Sequence, residues 1–373
     1  MERLNHSDVT VRLAALEELV KDLPKQEPSG NVNNHIHTFY SFSPYSPTKA
    51  VYMAKKAGLD TAGIMDHDSV SGCREFIRAG EIADLPTTVG CECRVSFDGT
   101  RLAGKRINNP DQCGVAYVTI HSIPHKNIER VAAFFAPYNE KRNQRNRKMV
   151  DKINTLTDVT IDFDTDVLPL SKHKEGGSVT ERHILFALAG KLLEAHPDIV
   201  AYLESINIPV SDKVRAMLTD PANDVKQYDL LGVLKGHFVK DFYIDATDEC
   251  PHVSEYIKLA DEVGGISAYA YLGDVGDSVT GDKRAQKFED DYLPLLFEEI
   301  SSLGFKAVTY MPTRNTMDQL MRVRDLCAQY NLMEICGEDI NSPRQSFICE
   351  ALKNPTFANL VQAAWDLIKH ERM

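Results

Sequence analysis

His35 and His37 are spaced by two in the segment Asn34-His35-Ile36-His37-Thr38, so on an extended strand both imidazoles face one side. His67 sits inside Asp66-His67-Asp68, directly behind the apolar run 61–65. Glu92 falls within the strand-like stretch 87–97, His121 near the end of the next such stretch, and Asp339 just after the last. Imidazole nitrogens and carboxylate oxygens are the ligands that zinc, manganese and iron accept. A lone histidine or a single His-x-His says little. Six such groups, each near the end of a strand-like segment, are far harder to assemble by accident. A cysteine site has less support: Cys91 and Cys93 share a strand face, but no second pair completes a set of zinc ligands.

These groups need elements to place them. Leu13, Leu16, Val20 and Leu23 recur at helical spacing, Ser7 or Asp8 can cap the start, and the run after residue 23 breaks the pattern. Residues 1–30 are therefore expected to form a helical N-terminal extension. From residue 31 short apolar strands alternate with helices. Ser46-Pro47 opens one helix and Gly58 closes it, while Gly264 and Gly304 close two more. Alternation of this kind implies parallel βαβ units and an α/β fold. In a parallel barrel the C-terminal strand ends converge on one face, where active sites are built. Within 31–373, residues 125–240 break the rhythm with a polar, helical stretch too long for a loop. It is expected to be an insertion that caps the barrel mouth. Its basic run with Arg142, Arg145 and Arg147 reads as a solvated helix face, with a wall of a phosphate pocket as the sharper alternative.

The 373 residues are 43% hydrophobic, enough for a sizeable core, and contain no apolar run that would span a bilayer. The N-terminal stretch has no secretory pattern. A net charge of −12 argues against a general nucleic-acid or membrane surface, though not against a small anion held locally. The eight scattered cysteines read as reduced thiols of a cytoplasmic protein.

The order HxH, DHD, GCE, a histidine on the following strand and then GED resembles the PHP (polymerase and histidinol phosphatase) family. The resemblance extends to Thr180-Glu181-Arg182-His183-Ile184, similar to the family's Arg-x-His-Ile-Ala segment. It implies a distorted, seven-stranded parallel β/α barrel with a helical insertion, bound metals and hydrolysis of phosphate esters. Carried over, His35, His37, Glu92 and Asp339 form one metal site. Glu92 bridges to a second site beside His121. The family's next ligand is the histidine of an Ala-His-Pro, and Tyr271 stands there. At the third site Phe42, His67 and Asn341 occupy the ligand positions, and only His67 keeps the family's residue. Asn341 can still offer an oxygen. The implied complement is one or two divalent ions per chain, zinc, manganese or iron.

A divalent ion lowers the pKa of bound water toward neutrality and so supplies hydroxide. Glu92, His121 and His67 would serve that chemistry, with Asp66 and Asp68 orienting His67 or capping the next helix. Arg182, His183 and Arg344 would hold phosphate oxygens, and Tyr271 would donate a hydrogen bond to substrate. The expectation is a cytoplasmic metal-dependent hydrolase of a small phosphorylated molecule such as a nucleotide or sugar phosphate. No nucleic-acid or membrane partner is expected, and the oligomeric state is left open. The alternative is a weak or silent barrel that binds metal or an anionic ligand, motivated by Phe42, Tyr271 and Asn341. An amidohydrolase barrel also begins with HxH, but Glu92 and the DHD segment favour the phosphoesterase family.

Overall fold

A computed structural model describes residues 1–25, 27–276 and 286–372. The first helix, α1 (Val9–Leu19), begins where the Asp8 carboxylate accepts from the Thr10 N–H. Leu4 and Leu16 pack into the same apolar layer as the barrel residues. Strand β1 (Val32–Ile36) leads into α2 (Pro47–Ala57), and Ser46 caps that helix by accepting from Lys49 N–H. Its end is closed by Gly58 at φ +88°, a left-handed conformation that glycine adopts at little cost. Then follow β2 (Thr61–His67), α3 (Cys73–Ala83), β3 (Thr87–Ser96) and β4 (Val115–His121). Five helices come next without a strand: α4 (Ile128–Ile153), α5 (Glu181–Ala195), α6 (Ile199–Ser205), α7 (Asp212–Thr219) and α8 (Lys226–Phe242). The alternation then resumes through α9 (Val253–Val263), β5 (Ile266–Ala270), α10 (Leu293–Leu303), β6 (Ala307–Tyr310), α11 (Met317–Tyr330), β7 (Met333–Cys336) and α12 (Ala358–Glu371).

The seven strands form one sheet in sequential order. The segment after β7 returns to β1: His37 N–H donates to Ile340 O (2.9 Å) and Ile340 N–H to His35 O (3.1 Å), which nearly closes a barrel. Neighbouring strands run parallel except at β4, which is antiparallel to both β3 and β5. A strictly parallel barrel is therefore not what forms. No helix separates β3 from β4, and a parallel partner needs such a crossover. The C-terminal end of β4 thus lies beside the first residue of β5, at the barrel end away from the other strands' C-termini.

Two large apolar cores and two small clusters form among the described residues. One large core belongs to the barrel and its surrounding helices, and the other to α5–α8 with the second half of α4. Helix α4 links them, since Ile128, Val131 and Phe135 pack on the barrel while Met149, Val150 and Ile153 pack in the second core. Its 26 residues reach about 39 Å. Helix α12, which the sequence reading did not anticipate, closes the N-terminal end of the barrel. Leu367 packs with Ala268, Ala307 and Ile335. The buried Glu371 carboxylate accepts from Thr88 Oγ1 and Val89 N–H, both at 2.7 Å. Leu360, Ala363, Ala364, Leu367 and Ile368 carry the helical period that could have revealed it. Among the described residues no helix is long and apolar enough to cross a membrane. All eight cysteines are free thiols, and only Cys113 is exposed.

Candidate metal centre and its cleft

Strand parity sets the centre. His35 on β1 and His37 just beyond it face the barrel interior, and β2 delivers His67 beside Glu92 of β3, its partner in the parallel register. The Nε2 atoms of His35 and His37 are 3.2 Å apart. Asp339, three residues past β7, brings Oδ1 to 3.1 Å from His37 Nε2. Glu92 Oε2 lies 3.4 Å from His35 Nε2, 3.6 Å from His37 Nε2 and 3.1 Å from His67 Nδ1. Two triads suited to a cation share His37: His35, His37 and Asp339, and His37, His67 and Glu92.

The loops behind these ligands are firmly tied. Asp66 is buried and accepts from Thr38 N–H (2.6 Å), Thr38 Oγ1 (2.5 Å) and Ser41 Oγ (2.6 Å). Ser41 Oγ is also 3.2 Å from His37 Nδ1, so a carboxylate and a hydroxyl fix the ring from behind. Asp66 therefore orients the HxH loop rather than His67. Asp68 makes a buried ion pair with Arg142 of α4, and its carbonyl accepts from Asn139 Nδ2 (2.8 Å). Gly337, where β7 ends, meets β1 so closely that a Cβ would lie 2.5 Å from His35 Cβ. Asn341 Nδ2 donates to Asp339 Oδ1 (2.6 Å), which aims that carboxylate.

Burial and charge set the protonation of the cluster. Burial opposes ionisation of Glu92, but His67, His35 and His37 hold its pKa below the usual value. Asp339 is likewise driven down against burial, by the hydrogen bond and charge of His37, then by His35 and Arg182. Burial works against a charged His35 too, yet Glu92 and Asp339 raise it. His67 is pushed down to about 3, mainly by burial, and so is a neutral imidazole.

The remaining expected site residues fall in several places. His121 is in the barrel interior at the far end of β4, with both ring nitrogens lacking a hydrogen-bond partner. Burial pushes it down to about 3, with His35 adding to the effect. It does not join either triad. Tyr117, opposite Arg94 in the register, instead faces the cluster from β4, its ring 5.9 Å from that of His67. His183 is a capping residue: its Nδ1 accepts from Thr180 N–H (3.0 Å) at the start of α5, and the ring packs edge-on against Phe42. Arg344 makes a two-pronged pair with Asp229 (2.6 and 2.7 Å) away from the cleft. Tyr271 lines the cleft but donates its hydroxyl to Asp290 (2.6 Å). Phe42, held at φ +133°, belongs to the second core, against His183, Phe186 and Tyr228. Arg142 and Arg145 are buried, not solvated; only Arg147 is exposed, paired with Asp164. Arg145 pairs with Glu181 and Glu249, both at 2.5 Å.

Above the cluster opens a cleft of about 340 Å³, walled by the barrel's C-terminal end and by α5 and α8. Arg182 reaches it from α5. Three cleft cations escaped the sequence reading: Arg94, Lys235 and Arg314. Arg94 had a signal, since it shares the strand face of Glu92; it is paired with Glu181 (3.4 Å) and Glu249 (3.5 Å). Arg314 donates to Leu272 O (3.2 Å) and lies over the Phe288 ring.

A carboxylate oxygen encircled by three imidazole nitrogens needs protons or a cation between them. Two ligands about 2.1 Å from one tetrahedral ion stand about 3.4 Å apart, which is the spacing found here. The donor set therefore fits a divalent ion. Comparison with known proteins agrees with this geometry. The family model described as the PHP domain matches residues 33–245, more than half of the chain. Among solved structures the chain is similar to a protein named as a candidate metal-dependent phosphoesterase from Bifidobacterium adolescentis, at 20% identity and TM-score 0.56 over 89% of this chain and 98% of that one. It is also similar to an amidohydrolase from Chromobacterium violaceum with bound sulfate and no metal, at 15% identity and TM-score 0.58 over 86% and 90%. At such identities the likeness is one of fold. No curated protein matches the chain.

Proposed function

The chain belongs to the PHP domain family, and from that premise we propose that it is a metal-dependent hydrolase of a small phosphate ester, such as a nucleotide or sugar phosphate. The observation that carries this reading is the convergence of His35, His37, Glu92, Asp339 and His67 at the base of a cleft that Arg182 also lines. His35, His37 and Asp339 would hold a divalent ion, with Glu92 and His67 completing its surroundings. When bound, the ion neutralises phosphate charge and lowers the pKa of a water molecule.

The protein's own groups do the rest. Ser41 and Asp66 keep the His37 ring in one orientation. Asn341 keeps Asp339 turned inward. Arg182, with its planar fork, faces Asp339 and would orient phosphate oxygens. The non-reacting part of the substrate would lie against Tyr117, Phe288 and Leu185, and the insertion would exclude water. The cleft volume is in the range of pockets that enclose small molecules, which supports a small substrate over a polymer. His121 is left without a role in this reading.

A second reading, binding without turnover, draws support from Phe42, Tyr271 and Asn341. All three are committed to packing or to protein hydrogen bonds, which leaves few donors beyond a single centre. Protein purified without chelator and given manganese or zinc, then offered nucleoside and sugar monophosphates, separates the two. We expect metal-dependent phosphate release that disappears in His37→Ala. Tight metal binding with no release from any ester would favour the silent barrel.

A further inference from the structure

Lys235 and Arg182 approach the cleft from different helices of the insertion, α8 and α5. Neither makes a hydrogen bond or ion pair with another residue among those described. Of the acids around them, Glu181 is held by Arg94 and Arg145 and Asp339 by His37 and Asn341, while the Asp111 carboxylate stands near Lys235 without a hydrogen bond or ion pair to a described residue. Two like charges therefore share the cleft, with Asp111 offsetting Lys235 only in part. Arg182 is the main cause of the Lys235 ammonium being pushed down to about 8, against the opposing pull of Asp111, Asp339 and Glu181. Asp339 in turn feels Arg182. Both cations line the same cleft as Asp339, and Arg314, also in it, is held by Leu272 O and the Phe288 ring.

An anion placed between two facing cations removes their repulsion and gains an attraction from each. We propose that Lys235 and Arg182 form a paired seat for a tetrahedral dianion, the phosphoryl group of the substrate, next to Asp339. Lys235 is a binding residue supplied by the insertion. The identity of the anion rests on the phosphate-ester reading, but the seat does not, since a silent barrel would carry it too. Near pH 8 and above a proton is taken up as the anion binds, because the bound dianion restores the fully charged ammonium.

Sulfate is a suitable probe, because it keeps its charge across the pH range and any pH dependence then comes from the protein. Calorimetric titration of metal-loaded protein with sulfate at pH 7 and pH 9.5 tests the seat. We expect Lys235→Gln to weaken binding about tenfold or more at pH 7, the scale of one charge-assisted hydrogen bond. Wild-type affinity should fall as the pH passes about 8, whereas Lys235→Arg should bind nearly as well as the wild type at pH 7 and lose less affinity by pH 9.5. Thermal melts of both variants verify folding. Absence of sulfate binding by the wild type, wild-type affinity in Lys235→Gln, or the same alkaline loss in Lys235→Arg would overturn the seat. Failure of every ester assay alongside Lys235-dependent sulfate binding would instead remove the hydrolase reading and leave the seat standing.

Discussion

Replacing Arg142 by methionine should expose how the insertion is fastened to the loop that carries His67. Asp68 and Arg142 are both buried, and Asp68 Oδ1 already lacks a hydrogen-bond partner. Removing one half of a buried pair typically costs about 3–5 kcal/mol, because the other charge is left unpaired. The lower end applies here. Burial, the largest influence, raises the pKa of Asp68 even with Arg142 beside it, so the abandoned carboxyl can take up a proton. A loss of about 3 kcal/mol is therefore expected. At about 2.1 cal/mol/K per residue, 373 residues give an unfolding entropy near 0.8 kcal/mol/K, so Tm should fall by roughly 4 °C. The paired substitution Asp68→Asn with Arg142→Met should recover much of that loss, since it leaves no charge behind. Calorimetric melts in the presence of chelator keep metal binding out of the comparison. A single variant melting within about 1 °C of the wild type, or a double variant less stable than the single, would refute the reasoning.

Other expectations follow from contacts around the cluster. Asn341→Ala should weaken metal affinity about 10–100-fold, as loss of an outer partner of a ligand usually does, with little change in melting temperature; metal-buffer titration reads this directly. His183→Ala should cost about 1 kcal/mol of stability, because a helix cap is lost, and leave sulfate affinity unaltered. Arg344→Ala should cost no more than about 1 kcal/mol, since its pair with Asp229 is half-exposed, and any esterase kcat/KM should be unchanged. A large drop in kcat/KM for either of the last two would return those residues to the substrate site.

What was legible in the sequence is what local spacing encodes. The HxH parity, the Ser46-Pro47 start and the glycine stops all depend on neighbours along the chain, and the elements form where those signals stand. The direction of β4 depends instead on a connection, 97–114, that has no helical period and so turns back rather than crossing over. That reversal carries His121 away from the triads and presents Tyr117 in its place. Arg142 and Arg145 looked solvated because their partners Asp68, Glu181 and Glu249 are remote in sequence. His183 and Arg344 were assigned by resemblance, and the structure engages them in a helix cap and an ion pair. Lys235 is invisible as a cleft residue until α5 and α8 are packed side by side.

The central claim is that His35, His37, Glu92 and Asp339 gather around a divalent ion. Anomalous diffraction from crystals grown with manganese or zinc tests it most directly. The account predicts a peak about 2.0–2.3 Å from His37 Nε2, shared with His35 and Asp339, and at most one further peak, on the Glu92 side. Metal-loaded crystals with no peak at His37, or with their strongest peak elsewhere in the chain, would contradict it.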